Sequence, residues 1–326
     1  MKKYLVFLIL ILIISFLIFG IYLPRNPFSA KEITFNIKKG DGSREIALNL
    51  EKEGLIRWSS LFRVYVLTAG VSGKLQAGTY LFSPSMNIPG IAKKMVLGDT
   101  LKIKVTIPEG FNLKQIEAEL TSKLQRTVLC RFTAEEFKGE FGFLKDIPDA
   151  ASLEGFLFPD TYFFSPEIAE KEIVITFLKN FDKKLTPDLR EEIERQKKTI
   201  FEIIKTASLI EKEVKTEKDK KLVAGILWKR LNNGIPLQVD ATISYITGKQ
   251  TIKISKTDLQ TDSPYNTYKY QGFPLGPISN PGIVSILAAI YPEDSESWYY
   301  LSTPDGETIF SKTLKDHNTA KAQYLK

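Results

Sequence analysis

The chain reads as an α+β protein carried on one apolar N-terminal helix. Three observations predict this. The run Tyr4 to Leu23 is unbroken apolar sequence of bilayer-spanning length. Residues 33–107 mix period-two and helical patterns in a small β-α module. Residues 108–326 are mainly helical, with short strands and a late Pro/Gly/Tyr-rich groove region. The expected divisions are a stub at 1–3, a transmembrane helix at 4–23, a linker at 24–32, the module at 33–107 and the large domain at 108–326.

The apolar run follows Lys2 and Lys3, which favours a cytoplasmic N-terminus and an extracytoplasmic body at the plasma membrane. A cleaved signal would have a shorter apolar stretch and a small-residue cleavage site, and IYLPRNPFS offers none. A retained single-pass anchor in the bilayer is therefore expected. Ile33 to Ile37 alternates as a strand, and KKGDGS turns into a helix with Ser43 as N-cap and Ile46, Ala47 and Leu50 as its inner face. Helices are expected over Ser59–Ala69 and Asn87–Leu97, with strands over Thr79–Phe82 and Leu101–Ile107. Pro108-Glu109-Gly110 marks the boundary. Helical spacing then recurs over Leu113–Leu124, Thr133–Glu140, Glu167–Phe181, Glu191–Val214 and Lys218–Asn232. After the groove region come a helix near Ile283–Ile290, a strand at Trp298–Ser302, a turn at Pro304-Asp305-Gly306 and a strand at Thr308–Phe310.

Cys130 is the only cysteine and His317 the only histidine, so an intrachain disulfide and a His/Cys-rich metal site are excluded. No Gly-x-Ser-x-Gly elbow exists for a serine nucleophile. No cofactor is implied. A net charge of +7 is spread over lysines interspersed with acids. That suits a surface beside anionic lipid or an anionic wall polymer, and gives no nucleic-acid stripe. Carboxylates are left as the catalytic candidates.

Among them Glu211 stands out. In IFEIIKTASLIEKEV the stripe of Ile200, Ile203, Ile204, Ala207, Ile210 and Val214 has Glu211 in its midst. A carboxylate among aliphatic groups relieves its cost by a raised pKa, the property of a general acid. The competing reading is that it flanks the core or pairs with a lysine. Glu213, on the polar side, is expected to be solvated. Two readings also hold for SPYNTYKYQGFPLGPISNPG: a sugar groove of stacking tyrosines, or an irregular cap over the helices. On the groove reading Gln238, Asp240, Asn266, Tyr268 and Asn318 are candidate substrate contacts. Glu154, Thr242 and His317 are candidate supporting residues.

The stretch GDGSREIALNLEKEGLI resembles a LysM module, a binder of N-acetylglucosamine polymers, with a plain spacer as the alternative. Five ordered blocks carry a broader resemblance: LEGFLFPDTY, ASLIEKEV, VAGILWKRLNNGIPLQVDATISY, SPYNTYKYQGFPLGPISNPG and the Asp316–Asn318 triplet DHN. Together they resemble the endolytic murein transglycosylases, the YceG-like family. That resemblance implies a membrane-anchored lyase acting on nascent peptidoglycan glycan strands. It would cut between N-acetylmuramic acid and N-acetylglucosamine and leave 1,6-anhydromuramoyl ends. The family's catalytic Glu lies in the block matched by ASLIEKEV and is mapped here to Glu211. Peptidoglycan synthases at the membrane are the implied partners. The rival readings are a glycoside hydrolase on the same strands, using Glu211 with Asp240 or Glu154, and a non-catalytic scaffold that binds wall glycan.

Overall fold

The computed structural model describes residues 2–249 and 254–325. They divide into two compact units, residues 1–103 with 163–168, and residues 104–162 with 169–326. Met1 of the expected stub and Lys326 lie outside the described residues.

The first unit begins with α1 (Lys2–Tyr22), whose residues 4–16 are all exposed and, Ser15 apart, apolar. Then come β1 (Ile33–Ile37), α2 (Ser43–Lys52), α3 (Ser59–Thr68), β2 (Gly78–Phe82) and α4 (Ile88–Leu97). The two strands pair antiparallel, with Phe35 opposite Tyr80. Their inner faces and the helix stripes of Ile46, Leu50, Phe62, Val66, Ile91 and Met95 close one core. Ser43 is the first residue of α2 and not its cap; Gly42 takes the cap position without a side-chain bond. Asn87 does cap α4, accepting from the Gly90 N–H at 2.9 Å.

The second unit runs through β3 (Ile103–Thr106) from Lys104, α5 (Leu113–Leu124), the first half of β4 (Thr161–Phe164), α6 (Glu170–Lys184), α7 (Pro187–Arg195), α8 (Ile200–Glu213) and α9 (Glu217–Asn232). It continues with α10 (Asp240–Thr247), α11 (Ile283–Ile290), β5 (Tyr299–Ser302), β6 (Thr308–Ser311) and α12 (Leu314–Tyr324). β3 pairs with β4, and β5 pairs antiparallel with β6, Leu301 facing Ile309. The helices α8, α9 and α11 pack on one another as the core of this unit. Trp228 of α9 ties it to α11 by donating its indole N–H to the Ala289 carbonyl at 3.0 Å.

Three helical expectations need correction. Thr133–Glu140 does not form a helix; single 3₁₀ turns close at Leu129–Arg131, Glu135–Phe137 and Gly142–Leu144. Phe137, Phe141 and Phe143 all turn inward there, which no single helix face allows, and Gly139 and Gly142 weaken helix continuation. Glu191–Val214 is two helices and not one. Lys197 adopts a left-handed φ of 57°, and Thr199 starts α8 with a reciprocal capping box to Glu202. The expected Glu167–Phe181 helix begins three residues later, because Ser165-Pro166 turns the chain and Ala169 is extended. α10, α12 and β4 were not expected.

Candidate functional site

α8 places two glutamates in different surroundings. The buried stripe of Ile203, Ile204, Ala207 and Ile210 faces α9 and α11. Glu211 follows it inward: its side chain is 9% exposed and pairs with the Lys220 ammonium of α9 at 3.2 Å. Ser285 of α11 donates its hydroxyl to the same carboxylate at 2.6 Å, and the Gly282 N–H donates at 3.1 Å. Both Glu211 oxygens are thus occupied by donors. The stripe position is as the sequence indicates, but the isolated carboxyl expected there is an ion pair, and it does not line the large cavity of this unit.

That cavity, about 1100 Å³, is bordered instead by Glu213. Glu213 closes the last turn of α8, after which Val214 is extended. Its side chain, off the stripe, meets the N-terminus of α10, accepting from the Ala241 N–H at 3.2 Å. The Tyr300 hydroxyl of β5 donates to it as well. Burial pushes the Glu213 carboxyl up to about 7, and the negative charge of Asp240 adds to this. The two donors pull it back only in part. The expectation of a solvated Glu213 is therefore overturned, because the helix ends there and Tyr300 and α10 close over the side chain.

Four candidate contacts border the cavity: Gln238, Asp240, Tyr268 and Asn318. Tyr268 donates its hydroxyl to Asp240. Gln238 holds a left-handed φ of 54°, its N–H bonded to the Thr267 carbonyl at 3.0 Å. Behind this loop Arg230, buried, donates to the carbonyls of Trp298 at 2.9 Å and Leu237 at 2.8 Å.

Asn266 is not a wall residue. It is 1% exposed and donates to the carbonyls of Leu259 at 3.0 Å and Thr261 at 2.8 Å. Its carbonyl accepts from the Tyr268 N–H at 2.9 Å. It folds the SPYNTY loop and leaves no group for a ligand. Thr242 is likewise fully buried, bonded to the Val239 carbonyl at 2.7 Å and to Thr267 at 3.0 Å.

Glu154 sits at the cavity's edge but is 3% exposed. It accepts from the Leu113 N–H at the start of α5, the Asn280 amide at 2.9 Å and the Tyr245 hydroxyl at 3.3 Å. Burial pushes its carboxyl up to about 7. His317 of α12 borders the cavity and stacks on Tyr299 at 5.3 Å. Burial, with Lys321 and Arg230 nearby, lowers its pKa to about 4, so it is neutral at physiological pH.

The arrangement is that of a protonatable carboxyl, Glu213, facing an open cavity beside a second carboxylate, Asp240. Sequence reasoning missed Glu213 because the helical wheel stops at the helix end. The one legible signal was its place in the last turn before Val214.

Comparison with known proteins gives the family. The YceG-like family matches residues 35–323. A Bacillus subtilis protein named endolytic murein transglycosylase is 33% identical over 318 residues, covering 93% of this chain and 87% of that protein. A Streptococcus pneumoniae protein of the same name is 30% identical, and the alignment covers 93% of this chain and 60% of that longer protein. A crystal structure of a YceG-like protein from Listeria monocytogenes superposes with a TM-score of 0.57 at 34% identity, covering 90% of this chain and all of that one.

Proposed function

The chain belongs to the YceG-like family, and from that premise we propose that it is an endolytic murein transglycosylase whose acid–base group is Glu213. The observation that carries the residue assignment is the Glu213 carboxyl, raised to about 7 and bordering the cavity, while Glu211 is consumed in an ion pair. A group that titrates near the working pH both gives and takes a proton readily.

A lytic reaction needs only one such group. Glu213 protonates the glycosidic oxygen between N-acetylmuramic acid and N-acetylglucosamine as the C1–O bond breaks. The resulting carboxylate then accepts the proton of the muramoyl 6-hydroxyl while that oxygen attacks C1. The 1,6-anhydro ring closes and Glu213 is reset. The Ala241 N–H and the Tyr300 hydroxyl hold the carboxylate form between the two steps. Asp240 contributes negative charge near the developing cation at C1. Gln238, Tyr268 and Asn318 supply amide and hydroxyl groups for the sugar rings.

α1 is one apolar helix compatible with a membrane anchor. With Lys2 and Lys3 as its first residues, the reading is a cytoplasmic N-terminus and a body outside, where glycan strands leave their synthases. The LysM likeness rests on a strand, a Gly-Asp turn and a helix, supported here by β1, Gly40-Asp41 and α2.

The test is product analysis with two variants, each checked for folding by circular dichroism. Glu213→Gln should lose cleavage of uncrosslinked glycan by roughly 10²-fold or more. Glu211→Gln, per folded molecule, should retain more activity than Glu213→Gln. The reverse order would return the catalytic role to Glu211.

A further inference from the structure

α1 is long enough to span a bilayer only if all of it is used. Its apolar stretch, Lys3–Tyr22, gives roughly 30 Å of helix, about the thickness of the hydrocarbon core. Yet its last two turns are already occupied by the first unit. Phe16 lies 5.0 Å from the Trp58 ring. Leu17 and Ile21 pack against the core of the β-α module. Gly20 is buried, and a Cβ there would stand 2.1 Å from Leu61 of α3, so the glycine is what lets the two helices touch. The Arg57 guanidinium covers the Phe19 ring at 5.2 Å and donates to the Pro24 carbonyl at 3.2 Å. Asn87 donates to the Tyr22 carbonyl at 3.3 Å.

The unaccompanied part, Lys3 to Ser15, is roughly 20 Å of helix, short of the core thickness by about a third. Local thinning of the bilayer could take up part of that shortfall. The remainder falls to the helices packed there, α3 and α4, since lipid around Phe16 to Tyr22 also touches them. α3 is suited to this. Trp58 is 37% exposed, Val64 40% and Leu67 59%, an unusual apolar display for a helix in water. Arg63 stands exposed among them, and Arg57 lies just before the helix. An aromatic and aliphatic face flanked by arginines is the pattern of an interfacial helix.

We infer that α3 is a second membrane contact: it lies in the interfacial layer of the bilayer that α1 enters, with Trp58, Val64 and Leu67 toward the acyl chains and Arg63 toward anionic headgroups. This rests on the reading of α1 as a membrane anchor. Its consequence is that the β-α module is held at the lipid surface and does not swing free on a linker.

The test uses the full chain with Cys130→Ser and one new cysteine, Leu67→Cys, carrying an environment-sensitive NBD label, in vesicles of phosphatidylglycerol and phosphatidylethanolamine. Ser60→Cys, on the same exposed side of α3, is the second position. The expected result is co-flotation with the vesicles and loss of NBD emission when the lipids carry a nitroxide near the headgroup. Chains that float but show no quenching at either position overturn the inference while leaving the anchor intact. Blue-shifted but unquenched emission places α3 against protein and overturns it equally. Failure to float overturns the anchor and this inference together.

Discussion

At the residue scale, the last two glutamates of α8, Glu211 and Glu213, differ in what surrounds them, and the difference predicts opposite phenotypes. Glu211 faces Lys220, itself 5% exposed. Glu211→Ala leaves that ammonium buried and unpaired, which should cost about 3–5 kcal/mol in denaturant unfolding. Glu213→Gln removes no ion pair and should unfold close to wild type while losing turnover. As pH rises through about 7, Glu213 loses its proton, so the acid-dependent limb of kcat/KM should fall there. A profile flat from pH 6 to pH 9 would contradict the assignment. Glu154 predicts a stability effect. Its folded value of about 7 lies above its ordinary value of 4.5, so folding binds a proton. Below about pH 4.5 both states are protonated and this contribution is fully present. It is lost as pH climbs to about 7, by on the order of 3 kcal/mol. Glu154→Gln should flatten the dependence of unfolding free energy on pH between 5 and 7.

At the element scale, the position of α9 against the chain after α11 depends on one glycine. A Cβ at Gly225 would lie 2.0 Å from the Glu293 carbonyl oxygen, which belongs to backbone and has little room to yield. The Glu293 N–H is bonded to the Lys221 carbonyl at 3.0 Å, so the same contact aligns the segment leading to Tyr299 and Tyr300. Gly225→Ala should therefore destabilise by more than about 2 kcal/mol despite its better helix propensity. Tolerance without loss of melting temperature would show that the segment can shift. The start of α8 offers a milder case. Thr199→Ala breaks the capping box with Glu202 and should cost about 1 kcal/mol.

At the scale of the whole molecule, the described residues that line the cavity all belong to the second unit. On the proposals above, chemistry belongs to that unit, and the first unit carries the anchor and the lipid contact. Mass spectrometry of the products should find 1,6-anhydromuramic ends. Reducing muramic ends would mean that water is the acceptor and that Asp240 acts as the second carboxylate of a hydrolase. No turnover on any glycan would leave the scaffold reading. Substitutions on α3, such as Leu67→Ser, should leave turnover on soluble glycan unchanged, since none of α3 borders the cavity.

Much of this was legible along the chain itself. The apolar run of α1, the stripe of α8, the helix of α9 and the strand pair β5–β6 are local patterns, and a period of 3.6 or 2 is set by the backbone whatever surrounds it. So were the residue types available for chemistry, since one His and one Cys leave carboxylates. The break between α7 and α8 was half legible in Thr199 and Glu202, whose spacing signals a new helix start. The choice between Glu211 and Glu213 was not. A helical wheel assigns a side, but Lys220, Ser285 and Gly282 come from α9 and from the start of α11, and Tyr300 and Ala241 from β5 and α10. Whether a carboxylate is paired or left to hold a proton depends on which of those groups reach it. Asn266 shows the same division: its sequence neighbours suit a sugar contact, while its hydrogen bonds to Leu259 and Thr261 turn it inward. Local periodicity determined the elements; long-range packing decided which carboxyl faces the cavity, because a pKa is set by neighbours in space.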